Sequence, residues 1–240
     1  CRGEGNFYRA VQGLKLLLTY HIPAAVRVTI HRKNVRDLEA VAKLLLEDFA
    51  LPCFSTNAAS HLGLCRKNAE QVQLTVEERN LAMKTLVKLS EKYDGRISAT
   101  AGPLAEAQGW QYMEQARLNG LDRPSGRGYL SGCNGPAEKI AVRSDGTMVV
   151  CAQMPSIELG RINRDDLRQV WNEHPMLERF RKRSEIPLSQ FAFCRGCPYI
   201  DYCTGNCPAI AQTTLADPWH PSPDACYRRF LQAGGVLPDL

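Results

Sequence analysis

Nowhere in this 240-residue chain do apolar residues run unbroken for the roughly 18 positions that a membrane-spanning helix needs, so no membrane partner is expected. Cys1-Arg2-Gly3-Glu4 is not a basic stretch leading into an apolar one, so no secretory signal is expected there and the protein is expected to be cytoplasmic. The chain does not open on methionine, which predicts a processed form or part of something longer. Internal repeats and low-complexity segments are absent. The net charge is only +5, with Lys and Arg mixed among Asp and Glu along most predicted helices. That leaves no long basic stripe to track a phosphate backbone, so no nucleic-acid partner is expected. A basic patch for an acidic peptide stays open. The five histidines (His21, His31, His61, His174 and His220) show no metal-binding spacing such as HxxxH, and His174 and His220 precede proline, as turn or surface residues do.

Cysteine, by contrast, is abundant. There are ten, and a 44% apolar fraction with 23% charge is that of an ordinary globular protein with one large or two modest cores. Disulfide scaffolds are usually much shorter, and clustered CxxC in a chain this long points to metal. Cys1, Cys53 and Cys65 are scattered; the other seven fall between 133 and 226.

The two halves of the chain differ in pattern. "FYRAVQGLKLLLTY" (7–20) repeats apolar residues at helical spacing, and "AAVRVTI" (24–30) is a short β-branched run that reads as a buried strand. "NVRDLEAVAKLLLEDF" (34–49) predicts an amphipathic helix with Asn34 as N-cap, and 51–56 a weak strand. A Thr75/Glu78 capping box opens a helix over 75–93; 96–100 predicts a third strand and 104–119 a further helix. Alternating helices and short strands imply parallel βα units, an α/β class. Around "LDRPSGRGYLSG" (121–132), Gly, Pro and Ser mark a linker. "KIAVRSDGTMVVC" (139–151) then predicts a hairpin about Asp145-Gly146, followed by short helices near 165–171 and 176–183. Small elements with clustered cysteine and little apolar mass describe a region organised by metal. The expected domains are therefore residues 1–120 and 121–240.

The seven cysteines read Cys133-x12-Gly146-x4-Cys151, a 42-residue gap, Cys194-x2-Cys197-x5-Cys203-x3-Cys207, and then Cys226. Structural zinc would take Cys194, Cys197, Cys203 and Cys207 as two short pairs, leaving the other three unused. Iron–sulfur clusters also use compact cysteine runs plus a distant one. Spacing alone leaves both readings open.

The whole arrangement, CX9–15GX4C, a gap, CX2CX5CX3C, a gap and a last Cys, closely resembles the SPASM domain, which carries auxiliary [4Fe–4S] clusters in radical S-adenosylmethionine (SAM) enzymes. Every cysteine and the glycine match over residues 133–226. The first half resembles the same enzymes less specifically: "RGEGNF" opens like the segment after the third barrel strand, with a helix, a fourth strand and an "xNxxDL" helix start following. "PCFSTNAASHLG" resembles the fifth strand and its exit loop. The resemblance implies the C-terminal half of a radical SAM partial (β/α) barrel over 1–120, followed by a small Cys-rich SPASM domain with a hairpin and short helices. It places Thr29, His31, Ser55 and Asn57 at strand ends that would meet SAM, where barrel folds keep their sites. It implies two [4Fe–4S] clusters, with Cys194, Cys197, Cys203 and Cys226 on the outer and Cys133, Cys151 and Cys207 on the inner, the latter with one iron open.

One departure outweighs these matches. The CX3CX2C triad that holds the SAM-cleaving cluster is absent; from Cys1 the required positions are Gly5 and Tyr8. These 240 residues alone are therefore not expected to cleave SAM, and a missing N-terminal barrel half is expected. The anaerobic sulfatase-maturating subfamily places a catalytic Asp directly after the second SPASM cysteine; here Ala152 stands there. Cys53 and Cys65 read as small buried hydrophobes. Asp201 reads as a solvated loop charge, and Trp110, Trp171 and Trp219 as core or interface anchors.

The resemblance implies a maturase that installs a thioether, a carbon–carbon link or an oxidation in a ribosomally made peptide, with an electron donor such as flavodoxin or ferredoxin. A non-catalytic cluster-bearing partner protein and a structural zinc protein are the alternatives.

Overall fold

The computed structural model describes residues 3–239; Cys1 and Arg2, and with them the start of the barrel-like entry, lie outside the described residues, as does Leu240. Helix α1 (Asn6–Thr19) leads to β1 (Arg27–Ile30), then α2 (Leu38–Lys43), which runs into a π-helical turn over Leu44–Asp48. Strand β2 (Phe54–Ala58), the short α3 (Gly63–Lys67) and α4 (Ala69–Val72), α5 (Val76–Lys92), β3 (Ile97–Ala99) and α6 (Pro103–Leu118) follow. The α5 capping box forms as expected: the Glu78 N–H donates to Thr75 Oγ1 at 3.2 Å and the Thr75 N–H to Glu78 Oε2 at 2.9 Å. Asn34 does not cap a helix. Its Oδ1 accepts from the His31 N–H at 2.8 Å and its Nδ2 donates to the Thr29 carbonyl at 3.0 Å, closing the turn after β1, so the helix starts only at Leu38.

The three strands form a parallel sheet in sequence order, with Arg27 opposite Ser55, Thr29 opposite Asn57, and Ser55 opposite Ser98. Strand alternation then sorts the side chains. Ile30, Phe54, Thr56 and Ile97 are buried on the face that α5 and α6 cover, while Arg27, Thr29, Ser55, Asn57 and Ser98 form a polar opposite face.

The second half holds α7 (Gly135–Glu138), an antiparallel sheet of β4 (Ala141–Val142), β5 (Thr147–Val149) and β6 (Glu158–Arg161), then α8 (Leu167–Glu173), α9 (Pro175–Arg181), 3-10 turns through 202, α10 (Pro208–Leu215) and α11 (Tyr227–Gln232). Strands β4 and β5 are the expected hairpin, with Gly146 in its turn at φ +86°. Strand β6 was not expected: "ELGR" has no β-branched residue, and it exists because Met148 pairs with Gly160. None of the described helices is long and apolar enough to cross a membrane.

Residues 121–132, read as a linker, are knitted into the cysteine-rich half. The amides of Gly128, Leu130 and Gly132 donate to the carbonyls of Cys203, Ile186 and Thr204 at 2.8, 2.9 and 2.8 Å, and Leu130 is 1% exposed. A Cβ on Gly132 would stand 2.7 Å from the Asn206 carbonyl oxygen and 2.9 Å from its Cα and N, so only glycine lets these backbones approach. The two halves also share a core. Tyr199, Tyr202, Tyr227 and Phe230 pack into the apolar cluster built by α2, α5, α6 and the parallel sheet. Trp110 stacks on Tyr227 at 5.2 Å, and the Tyr202 hydroxyl donates to the Leu121 carbonyl at 2.7 Å. A second core, with Met148, Leu177 and Phe180 at its centre, sits under the antiparallel sheet.

Arg79 of α5 links α6 to the segment before Cys226, 3.5 Å from Glu106 and 3.7 Å from Asp224. Burial, reinforced by Asp224 and opposed by Arg79, lifts the Glu106 carboxyl from 4.5 to about 7. The protonated carboxyl therefore contributes stability that is complete below pH 4.5 and is lost as pH rises through about 7. Denaturant midpoints should fall between about pH 5 and about pH 8, and Glu106→Gln should flatten that slope; equal slopes in both proteins would refute the assignment. Gly132→Ala should cost about 1–3 kcal/mol and strip hydrogen-exchange protection from the Gly128 and Leu130 amides.

Candidate metal centre

The close approach of Gly132 to Asn206 sets the next residue of each segment, Cys133 and Cys207, side by side. Interaction with the Cys207 thiol pulls Cys133 down to about 6, aided by the Gly135 N–H, Arg183 and Lys139 and opposed by burial. The same interaction, together with burial, pushes Cys207 up. Cys133 is held at φ +56°, a left-handed geometry that non-glycine residues rarely adopt. Cys151 leaves the β5 end of the hairpin, its sulfur accepting from the Gln153 N–H at 3.4 Å, and packs with Cys207 against the second core.

Cys194, Cys197, Cys203 and Cys226 line a single cavity, walled by Leu188, Phe193 and Ile200. Three of them come from the 3-10 turns between 192 and 203, and Cys226 immediately precedes α11. Burial, with the neighbouring thiols Cys203, Cys197 and Cys226 adding to it, pushes Cys194 up to about 12. Burial likewise raises Cys197 and Cys203, and Arg228 works in the opposite sense on Cys194 and Cys197. The Cys203 sulfur accepts from the Gly205 N–H at 3.4 Å. Gly205 stands at φ +71°, where an added Cβ would meet the Leu130 side chain at 2.5 Å.

Two further groups face this cavity. Ser222 is 1% exposed and its Oγ has no hydrogen-bond partner; Arg228 Nε is likewise buried and unpartnered. The other guanidinium nitrogens of Arg228 donate to the carbonyls of Arg195, at 3.1 Å, and Phe193. An all-sulfur donor set beside unpartnered N–H and O–H donors fits a thiolate-bound, anionic iron–sulfur core. One zinc ion would instead draw four ligands to about 2.3 Å. Among the described residues no three His, Cys, Asp or Glu gather closely enough for a single ion. A polynuclear core gives each thiolate its own iron and so accepts wider spacing.

The other predicted residues lie elsewhere. Thr29, Ser55 and Asn57 share the polar face of the parallel sheet, with Ser55 Oγ accepting from Arg27 Nε at 3.1 Å and Asn57 Oδ1 buried without a partner. His31 sits just past β1, where its Nδ1 accepts from the Lys33 N–H at 3.2 Å and burial lowers its pKa. Cys53 is exposed rather than a buried hydrophobe, because it falls between β2 and the turn before it; Cys65 is half-buried. Asp201 is an exposed loop charge 3.8 Å from Arg123. Trp110 is a core residue, while His174 caps α9 and His220 packs on Phe191 and Phe193. Sequence reasoning missed Ser222, Arg183 and Arg228: nothing in "RFRKRSE" or "CYRRF" distinguishes a buried arginine from a solvated one.

Residues 133–198 match the family model of SPASM, an iron–sulfur cluster-binding domain; the match contains Cys133, Cys151, Cys194 and Cys197 and stops short of Cys203, Cys207 and Cys226. The chain is 24% identical to an Fe-coproporphyrin III synthase of Methanosarcina barkeri, across 93% of this chain and 57% of that protein. It resembles solved structures of native anSMEcpe with bound AdoMet and the Kp18Cys peptide (TM-score 0.60, 16% identity) and of native anSMEcpe with bound AdoMet (TM-score 0.58, 16% identity). Each superposition covers 95% of this chain and 60% or 59% of the other, so the chain spans little more than half the length of these proteins. Residues 133–198 thus match a SPASM iron–sulfur cluster-binding domain, carried on a chain that shares the fold of the anSMEcpe structures.

Proposed function

We propose that this chain is the SPASM-bearing part of a radical SAM maturase that modifies a ribosomally made peptide. The observation that carries the reading is the sorting of cysteines into four that line one cavity and a neighbouring pair, Cys133 and Cys207. It supports an outer [4Fe–4S] cluster on Cys194, Cys197, Cys203 and Cys226 and an inner one on Cys133, Cys151 and Cys207. Bound there, the clusters supply electron transfer. The chain's own residues bury the thiolates, donate hydrogen bonds to them and hold them on a core shared with the barrel wall. On this reading residues 1–120 are the partial barrel, with Thr29, His31, Ser55 and Asn57 toward SAM, and residues 121–240 are the auxiliary-cluster domain. The SAM-cleaving triad comes from outside these 240 residues, and electrons come from a flavodoxin- or ferredoxin-like donor.

A peptide substrate is supported by a cleft of about 400 Å³ past the C-terminal end of β2. His61, Gln73, Arg79 and Asp224 line it, offering both donors and acceptors to peptide groups. The anSMEcpe structure with bound peptide supports the same class of partner. With Ala152 in place of the sulfatase-maturating Asp, the chemistry differs from that subfamily. A second reading, an iron-porphyrin substrate, is favoured by the similarity to Fe-coproporphyrin III synthase along 93% of the chain. Titration with Fe-coproporphyrin III decides: a shifted Soret band at stoichiometric ratio supports the porphyrin, and none, with precursor-peptide binding, supports the maturase.

Anaerobic reconstitution should load about eight iron and eight sulfide per chain. Cys207→Ala should then remove one cluster's EPR signal and Cys226→Ala the other; loss of the same signal in both would overturn the division, and stoichiometric zinc in fresh protein would overturn iron. The reconstituted 240-residue chain should produce no 5′-deoxyadenosine from SAM, because three thiolates at the required spacing are absent; steady turnover would refute this.

A further inference from the structure

Arg183 lies on the 3-10 turn after α9 and is only 4% exposed. Its Nε donates to the Pro218 carbonyl at 2.9 Å, and its Nη1 to those of Leu130 at 2.8 Å and Gly132 at 3.3 Å. Nη2 is buried with no partner at all. All of its hydrogen-bond acceptors are backbone carbonyls, so among the described residues its positive charge has no carboxylate in contact; Asp217, whose charge reaches it, spends Oδ1 on the Trp219 N–H. The side chain lines a small cavity together with Gly132 and Cys133. Burial lowers its pKa to about 10, and the two groups that most oppose this are Cys207 and Cys133.

A buried guanidinium with an unspent N–H costs free energy unless an anion accepts it. Three carbonyls hold the group in place, two of them within three residues of Cys133. We infer that Arg183 Nη2 donates a hydrogen bond to the iron–sulfur cluster held by Cys133, Cys151 and Cys207, as a positioning residue that fixes the inner thiolates and makes that cluster easier to reduce. This rests on the proposed assignment of those cysteines to one cluster. Hydrogen bonds to sulfur and added positive charge both raise the potential of a cluster. Arg228 stands in the same relation to the outer four cysteines, with Nε unspent. Arg183 lines the cavity at Cys133 and not the one at the outer four cysteines.

The test uses the reconstituted 240-residue chain labelled with [15N]arginine, partly reduced, the inner cluster being the EPR signal lost in Cys207→Ala. Pulsed EPR should find a 15N hyperfine coupling on that signal, and Arg183→Met should abolish it. In Arg183→Met with full iron content, the reduced-to-oxidised ratio of the inner cluster at fixed solution potential should fall about tenfold, equal to about 59 mV for a one-electron couple. The outer cluster should be unmoved and Arg183→Lys should recover part of the shift. A loaded wild-type inner cluster without 15N coupling overturns the inference, as does a loaded Arg183→Met with an unchanged midpoint. If Arg183→Met does not load, the labelled wild-type protein alone decides. Wild-type protein that assembles no inner cluster overturns this inference and the ligand assignment together, whereas a cluster without coupling overturns this inference alone.

Discussion

Four thiols facing one small apolar cavity cannot all be thiolates unless something positive lies among them, and this electrostatic constraint governs the second half of the molecule. Burial and mutual repulsion push Cys194 to about 12 and raise Cys197 and Cys203. Ser222 and Arg228 leave donors unspent beside the same cavity. Neutral thiols and idle donors are a costly arrangement by themselves; an iron–sulfur core bound there would replace the protons and accept the donors.

That constraint reaches the first half through aromatic packing. Tyr199 lies two residues from Cys197, and Tyr227 follows Cys226, so the chain entering and leaving the outer cysteines is the chain that covers Trp110. Arg79 adds a polar tie between α5, α6 and Asp224. The cleft past β2 lies at this junction of the two halves. The polar face of the parallel sheet follows from strand alternation alone, since the apolar residues all turn toward α5 and α6.

Much of this is legible in the sequence alone. Period-3.6 patterns placed α1, α5 and α6 to within a residue or two, because long helices repeat their apolar face over several turns, and α5 carries its own capping box. Asp145-Gly146 marked its hairpin, because only that turn chemistry tolerates the backbone of Gly146 at φ +86°. Strand β6 escaped because its pairing, not its composition, makes it a strand. Asn34 misled because a short amide side chain closes a turn as readily as it caps a helix.

The cysteine pattern named the domain from local spacing, since ligands in a compact run must converge whatever surrounds them. Spacing says nothing of which distant thiol joins which group: Cys133 meets Cys207 only because Gly132 and Asn206 pack backbone against backbone. Nor does any local signal separate Arg183 from its neighbours Arg181 and Lys182. Its role is set by carbonyls at 130, 132 and 218, far along the chain in both directions. Composition and periodicity carry what neighbouring residues impose on one another; burial, and the hydrogen bonds it leaves unmade, exist only once remote segments meet.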